Sequence, residues 1–263
     1  METVIRLSVA LVIFCLMIGW EYASPRRTQH LSRKQRWPTN LGLAAFNIFV
    51  MRFSLGGAAY FSAVAAVDHG YGLLNLVRTP EWLSIIVSLL FLDFAVYGQH
   101  IVMHKWPPLW RLHQVHHTDL EFDATTAVRF HPLEIMISML FKVLCIVLIG
   151  ATPWTVIAFE ILLNGAATFN HSNINIPPEI DKKLRWMIIT PDMHRIHHST
   201  FPAETDSNYG FSFSFWDRLC DTYVDEPRQP QTAMAIGLEP FREVRELGFM
   251  ALLLLPFKAL RRR

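Results

Sequence analysis

The chain has 263 residues, 52% of them hydrophobic and 17% charged, and a formal net charge of +2. That apolar share is high for a soluble globular domain, and the near balance of charge excludes the broad basic face of a nucleic-acid binder. Its three cysteines, Cys15 and Cys145 inside apolar runs and Cys220 alone, give neither a disulfide framework nor a thiolate metal site.

Five apolar runs organise the chain. Val4 to Trp20 comes first. Glu21-Tyr22-Ala23-Ser24-Pro25 matches a signal cleavage site poorly, so the run reads as a retained anchor. Leu41 to Val67 and Trp82 to Tyr97 follow. Ile135 to Ile149 and Trp154 to Phe169 fall short of the roughly 20 residues that a crossing takes. Gly150-Ala151-Thr152-Pro153 between them predicts a hairpin that returns the chain to the side it left. The expected fold class is all-α, an integral membrane helical bundle of about four transmembrane helices, or two plus a re-entrant hairpin. The apolar stretch Phe249 to Phe257, followed by Arg261-Arg262-Arg263, reads as an interfacial helix.

Lys and Arg counts set the expected sidedness. Arg26, Arg27, Arg33, Lys34 and Arg36 lie between the first two runs, whereas Asp68 to Glu81 holds Arg78 alone. Residues 100–133 hold three such cations and the segment after Asn170 holds twelve. This pattern puts both histidine-bearing segments and the C-terminus in the cytoplasm, of a bacterial inner membrane or an endoplasmic reticulum. Two cations fall inside apolar runs: Lys142, expected to snorkel to an interface, and Arg52, expected to pair inside the bundle.

Ten of the twelve histidines lie between His100 and His198. They form the groups HIVMH (His100, His104), HQVHH (His113, His116, His117) and HRIHH (His194, His197, His198), with His131 and His171 between. Residues three and four apart share a helix face, so each group can aim two or three ring nitrogens at a common centre. The three groups supply eight ligands, nine with His171 and ten with His131. A tetrahedral zinc takes four, so the count implies two metals. Imidazole alone does not name the metal. Asp93, seven residues before His100, is placed to orient a histidine from within the bilayer, and Asn164, seven before His171, to do the same on the fifth run. A packing or loop-bonding aspartate is the other reading of Asp93.

The ordered series Asp93-x3-Tyr97-x2-His100-x3-His104, LWRLHQVHH, RFHPLE, FNHSN, TPDMHRIHHS and NYGFSFSFWDRL resembles the fatty acid hydroxylase and sterol desaturase superfamily. The likeness spans roughly Asp93 to Tyr223. It implies an all-helical membrane oxygenase whose histidines sit in a cytosolic helical cap and hold two non-haem irons per chain. The ligands carried over are His100, His104, His113, His116, His117, His194, His197 and His198, with His171 a ninth. His131 falls in the Arg-x-His-Pro pattern as a ligand or a residue orienting one, beside Arg129. Asn170, Asn208, Tyr209, Trp216 and Asp217 recur in the motifs too, and for Trp216 and Asp217 cap packing is the preferred reading. The division expected is 1–92 for N-terminal transmembrane helices and loops, 93–225 for the catalytic region and 226–263 for the tail.

The resemblance further implies O2-dependent hydroxylation or desaturation of a lipid C–H bond in lipid biosynthesis or modification; sterols, fatty acyl chains, alkylglycerols and carotenoids are all open as substrate. The chain has no flavin, nicotinamide or haem-carrier motif, so electrons come from a partner: a ferredoxin, a rubredoxin-like protein, or a b-type cytochrome with its reductase. Lys182, Lys183, Arg185 and Arg195 are either a docking face for it or ordinary solvated charges. A membrane zinc hydrolase stands as an alternative but lacks HExxH. A metal transporter needs ligands spread along a path through the bilayer, and bis-histidine haem leaves most of the ten histidines unused.

Overall fold

In the computed structural model of the chain the described residues are 2–77 and 79–258. Arg78 and Arg261 to Arg263, used above for sidedness and for the tail, lie outside them. Among the described residues the fold is helical, with three isolated bridges and no strand. Helix α1 (Glu2–Ala23) is followed by α2 (Arg33–Ser54), α3 (Ala58–Asp68), α4 (Leu73–Leu76), α5 (Glu81–Lys105), α6 (Pro107–His117), α7 (Pro132–Ile149) and α8 (Pro153–Asn170). Short helices complete the cap: α9 (Pro178–Leu184), α10 (Pro191–His197), α11 (Pro202–Thr205), α12 (Phe215–Leu219) and α13 (Phe249–Leu254). Six consecutive helices, α6 to α11, begin with proline, whose fixed φ and missing N–H suit the first helical position.

Among the described residues four helical segments are long and apolar enough to cross a membrane: 3–23, 33–76, 81–105 and 132–149. Helix α1 turns Val4, Leu7, Leu11 and Leu16 outward, an arrangement that suits lipid as the solvent. The second run departs from expectation. It breaks at Leu55 to Gly57, where Gly57 adopts φ 77° and an added Cβ would meet the Phe61 ring at 2.8 Å. Helix α3 then buries Ala59, Ala63 and Ala66 on one stripe, and these small side chains let it pack closely on α7 and α8. Arg52 in the last turn of α2 is exposed, so its expected buried pairing is not found.

The expected hairpin is present. Gly150 ends α7 at φ 79°, and the Thr152 hydroxyl accepts the Thr155 N–H at the start of α8. Each arm has 18 residues, about 27 Å at 1.5 Å per residue. Lys142 does not snorkel. Its Nζ lies 2.8 Å from Glu160 Oε1 on α8, and Arg6 of α1 meets the other carboxylate oxygen. A buried carboxylate on the neighbouring helix overrides the escape to an interface.

The cap is tied to α2 by charge. Arg36 grips Asp119 in a fork, Nε and Nη2 each 2.7 Å from an oxygen, and reaches Asp123 at 2.6 Å. Asn40 adds bonds to Asp119 and Thr125. Behind this network Leu43, Trp110, Val115, Leu247, Leu252 and Leu255 form one apolar cluster. The tail helix α13 therefore buries one face on the cap, while Met250, Leu254 and Phe257 around it face outward.

Candidate metal centre

Helix α5 runs unbroken from the apolar bundle into the cap and sets His100 and His104 one turn apart near its end. Pro107 starts α6 at once, which brings His113, His116 and His117 across from them. Thr190 caps α10, its hydroxyl accepting the Met193 N–H, and this fixes the helix that carries His194 and His197. His171 closes the C-terminal end of α8.

The nine rings form two compact groups: His100, His104, His113, His117 and His197 in one, and His116, His171, His194 and His198 in the other. Helical spacing alone let each HxxHH serve a single centre, and the structure divides both. His113 and His117, four apart, join the first group while His116 joins the second. In HRIHH the pair four apart, His194 and His198, belongs to the second group and His197 to the first. The two motifs thus interlock, each giving two rings to one group and one to the other.

None of the nine residues is more than 5% exposed. His100 Nε2 lies 3.1 Å from both His113 Nε2 and His197 Nε2, and His171 Nε2 lies 3.1 Å from both His116 Nε2 and His194 Nε2. Two nitrogens about 2.1 Å from one cation and at a right angle would be about 3.0 Å apart, so the donor set fits a metal. His117 Nε2 and both ring nitrogens of His198 are buried without a hydrogen-bond partner, a state that leaves lone pairs to be satisfied by an ion.

The outward nitrogens are held. Nδ1–H groups donate to the carbonyls of Tyr209 from His100, Ser207 from His197 and Ala167 from His171, each at 2.7 Å. His113 Nδ1 lies 2.6 Å from Glu134 Oε1. Such partners fix the tautomer that turns Nε2 inward. Burial first, then neighbouring imidazoles, hold His116, His117, His194 and His198 well below the ordinary histidine range, so their rings are neutral donors. Phe130 stacks on His116 at 4.4 Å between centroids.

Several expected roles change. His131 belongs to neither group; its Nδ1 accepts the Leu133 N–H at the start of α7. Asp93 orients no histidine and instead accepts the Trp216 indole N–H at 2.9 Å, because that donor packs above it where the cap meets α5. Asn164 donates to the Glu160 carbonyl of its own helix, one turn back, and faces outward. Arg129 bonds the Val115 carbonyl, Asn40 and Thr118, and so caps the helix of the HQVHH group; burial lowers its guanidinium to about 10. Arg195 is fully buried beside Asp192, and Arg185 is buried against Asp181, so neither belongs to a docking face. Lys182 and Lys183 are exposed.

Glu134 stands in RFHPLE, three residues after His131, and is one of the few acids near the histidine groups, but sequence alone gave it no role. Asp217 does more than pack. It accepts the N–H groups of Tyr209 and Gly210 at 2.7 and 2.9 Å and so holds the segment whose carbonyl orients His100. Burial pushes its carboxyl up to about 6.

The fatty acid hydroxylase family model matches residues 85–222. The chain is 26% identical over 178 residues to ornithine lipid hydroxylase OlsE of Rhizobium tropici, covering 68% of this chain and 51% of that protein. It is 31% identical over 164 residues to alkylglycerol monooxygenase of Xenopus tropicalis, covering 60% and 34%. To cholesterol 25-hydroxylase of Mus musculus it is 25% identical over 179 residues, covering 63% and 58%. The matched region therefore spans about a third to three fifths of these relatives. No solved structure matches the chain.

Proposed function

The chain belongs to the fatty acid hydroxylase family, and on that premise we propose that it is a membrane-bound non-haem di-iron oxygenase that hydroxylates an unactivated C–H bond of a lipid. The observation that carries this reading is the pair of interlocked histidine groups, buried and side by side. His100, His104, His113, His117 and His197 would hold one iron, and His116, His171, His194 and His198 the other. Iron bound there supplies activation of O2, with two electrons and two protons from outside, so that one oxygen atom enters the C–H bond and the other leaves as water. The names of the relatives, lipid hydroxylases and monooxygenases, favour hydroxylation over desaturation.

The chain's own residues do the rest. Glu134 and the carbonyls of Tyr209, Ser207 and Ala167 keep the ring nitrogens aimed inward, so little reorganisation is needed when metal binds. Burial of all nine rings excludes bulk water from a centre that must attack a hydrocarbon. Residues 93–225 form the catalytic region, 1–92 the N-terminal membrane part and 226–263 the tail. The cap faces the cytoplasm, where a ferredoxin, rubredoxin-like protein or b-type cytochrome delivers electrons.

Purified protein in nanodiscs, supplied with a reduced ferredoxin and isotopically labelled O2, should put one labelled oxygen into a lipid, read by mass spectrometry. Product without the label, or product formed equally without O2, would sink the proposal.

A further inference from the structure

A crevice of about 360 Å³ lies between α1, α8 and the bridge that joins Ile188 to Phe213. Ile13, Gly165, Ala166, Phe169, Ile188 and Phe213 are among its walls, and nearly all of its surface is apolar. Its size falls within the range of small-molecule sites. Along α8 it runs from Ile161 to Phe169, about 12 Å of helix rise. The space exists because α8 carries Gly165 and Ala166 here. A Cβ on Gly165 would already meet Ile13 Cδ1 at 3.0 Å.

The position of the crevice suits an aliphatic guest. Its lower walls belong to α1 and α8, and α1 presents apolar side chains to lipid. Its cap end is formed by Phe169, Ser212 and Phe213, chain neighbours of residues at the candidate metal centre. Phe169 stands two residues before His171, Asn170 donates to the Phe211 carbonyl, and the Phe211 ring lies 5.0 Å from His100. Beside the bridge, Trp186 and Met187 are largely exposed, as befits residues at a membrane surface.

We propose that this crevice binds the aliphatic chain of the lipid substrate, which enters sideways from the bilayer and lies along α8 with its reacting segment toward Phe211. The inference rests on the hydroxylase reading for its purpose, while binding itself is measurable without turnover. It assigns a substrate class by shape: a single flexible alkyl or acyl chain, threaded between two helices, rather than a broad rigid ring system.

Photolabelling of the metal-loaded protein tests it, with a phosphatidylcholine bearing a diazirine near the end of one acyl chain, in nanodiscs. Label should concentrate on Ile13 and on residues 161–169. Ala166→Phe, which fills the crevice, should cut that label about fivefold while metal content stays at the wild-type level. Ile13→Ala, which widens it, should keep the label on residues 161–169, and the wild-type metal content of Ala166→Phe shows that its loss of label is not misfolding. Label spread evenly over the outer faces of α1, α5 and α7, or unchanged in Ala166→Phe, would overturn the proposal. Crevice labelling with no oxygenated product from any lipid would instead overturn the hydroxylase reading and leave the crevice as a lipid-chain site.

Discussion

Helix α1 and the segment from His113 to Arg129 solve opposite problems within one chain. The first exposes Val4, Leu7, Leu11, Val12 and Leu16 and depends on hydrocarbon around it. The second buries three imidazoles, Asp119, Asp123 and Arg129, groups that are costly to desolvate unless each finds a partner. The contrast teaches where function makes this fold fragile. Lipid-facing apolar positions are interchangeable, whereas the cap's polar interior depends on ions and exact pairing.

The comparison breaks most visibly at the histidines. His104→Ala and His197→Ala should each reduce turnover by at least about 100-fold and lower metal occupancy, since loss of a direct ligand exceeds the cost of losing its supporting partner. Unchanged turnover in either variant would contradict the assignment. Next comes the fork beneath the cap. Arg36→Met strands Asp119 and Asp123 and should cost about 3–5 kcal/mol, read as a lowered unfolding midpoint in detergent; an unchanged midpoint would mean that the network carries no load.

The same network predicts an acid limit. Burial by itself would raise the Asp119 carboxyl, but the Arg36 guanidinium and its hydrogen bonds outweigh that and hold it well below the usual carboxylate range. The unfolded chain binds a proton near pH 4 while the folded Asp119 does not, so stability is fully present above that pH and falls as the medium is acidified below it. Denaturation midpoints of wild type and Asp119→Asn between pH 3 and 7 check this: only wild type should show that increment.

Glu134→Gln sharpens the contrast from within the cap. It removes the carboxylate that faces His113 Nδ1 and should weaken metal retention about 10–100-fold against a chelator, with the helical fold intact by circular dichroism. The smallest effect belongs to α1. Leu11→Ala, on the exposed face, should change stability by less than about 0.5 kcal/mol and leave turnover at the wild-type rate.

Much of this was legible in residues. Local periodicity exposed the apolar runs, the Gly150 to Pro153 turn and the three histidine groups, because each depends on neighbours three or four positions away. What failed was tertiary. The division of HQVHH and HRIHH between two groups depends on how α6 and α10 face each other, which no spacing encodes. Asp93 shares a helix face with His100, yet its partner is Trp216, 123 residues further on. The break at Gly57 was hidden inside a run whose hydrophobicity is continuous, and the pairing of Lys142 with Glu160 required knowing that the two arms of the hairpin bring those side chains together. Glu134 lay in a motif already quoted, and its proximity to His113 appears only once α7 packs against α6.

The most direct test of the two-group account is the iron-to-protein ratio of the purified chain beside that of a His116→Ala, His194→Ala double variant. Nine imidazoles exceed what one ion binds, so wild type should hold about two irons per chain and the variant, stripped of two of the four rings in one group, about one. A wild-type ratio of one or fewer after iron loading, or a variant that keeps both, would contradict the account.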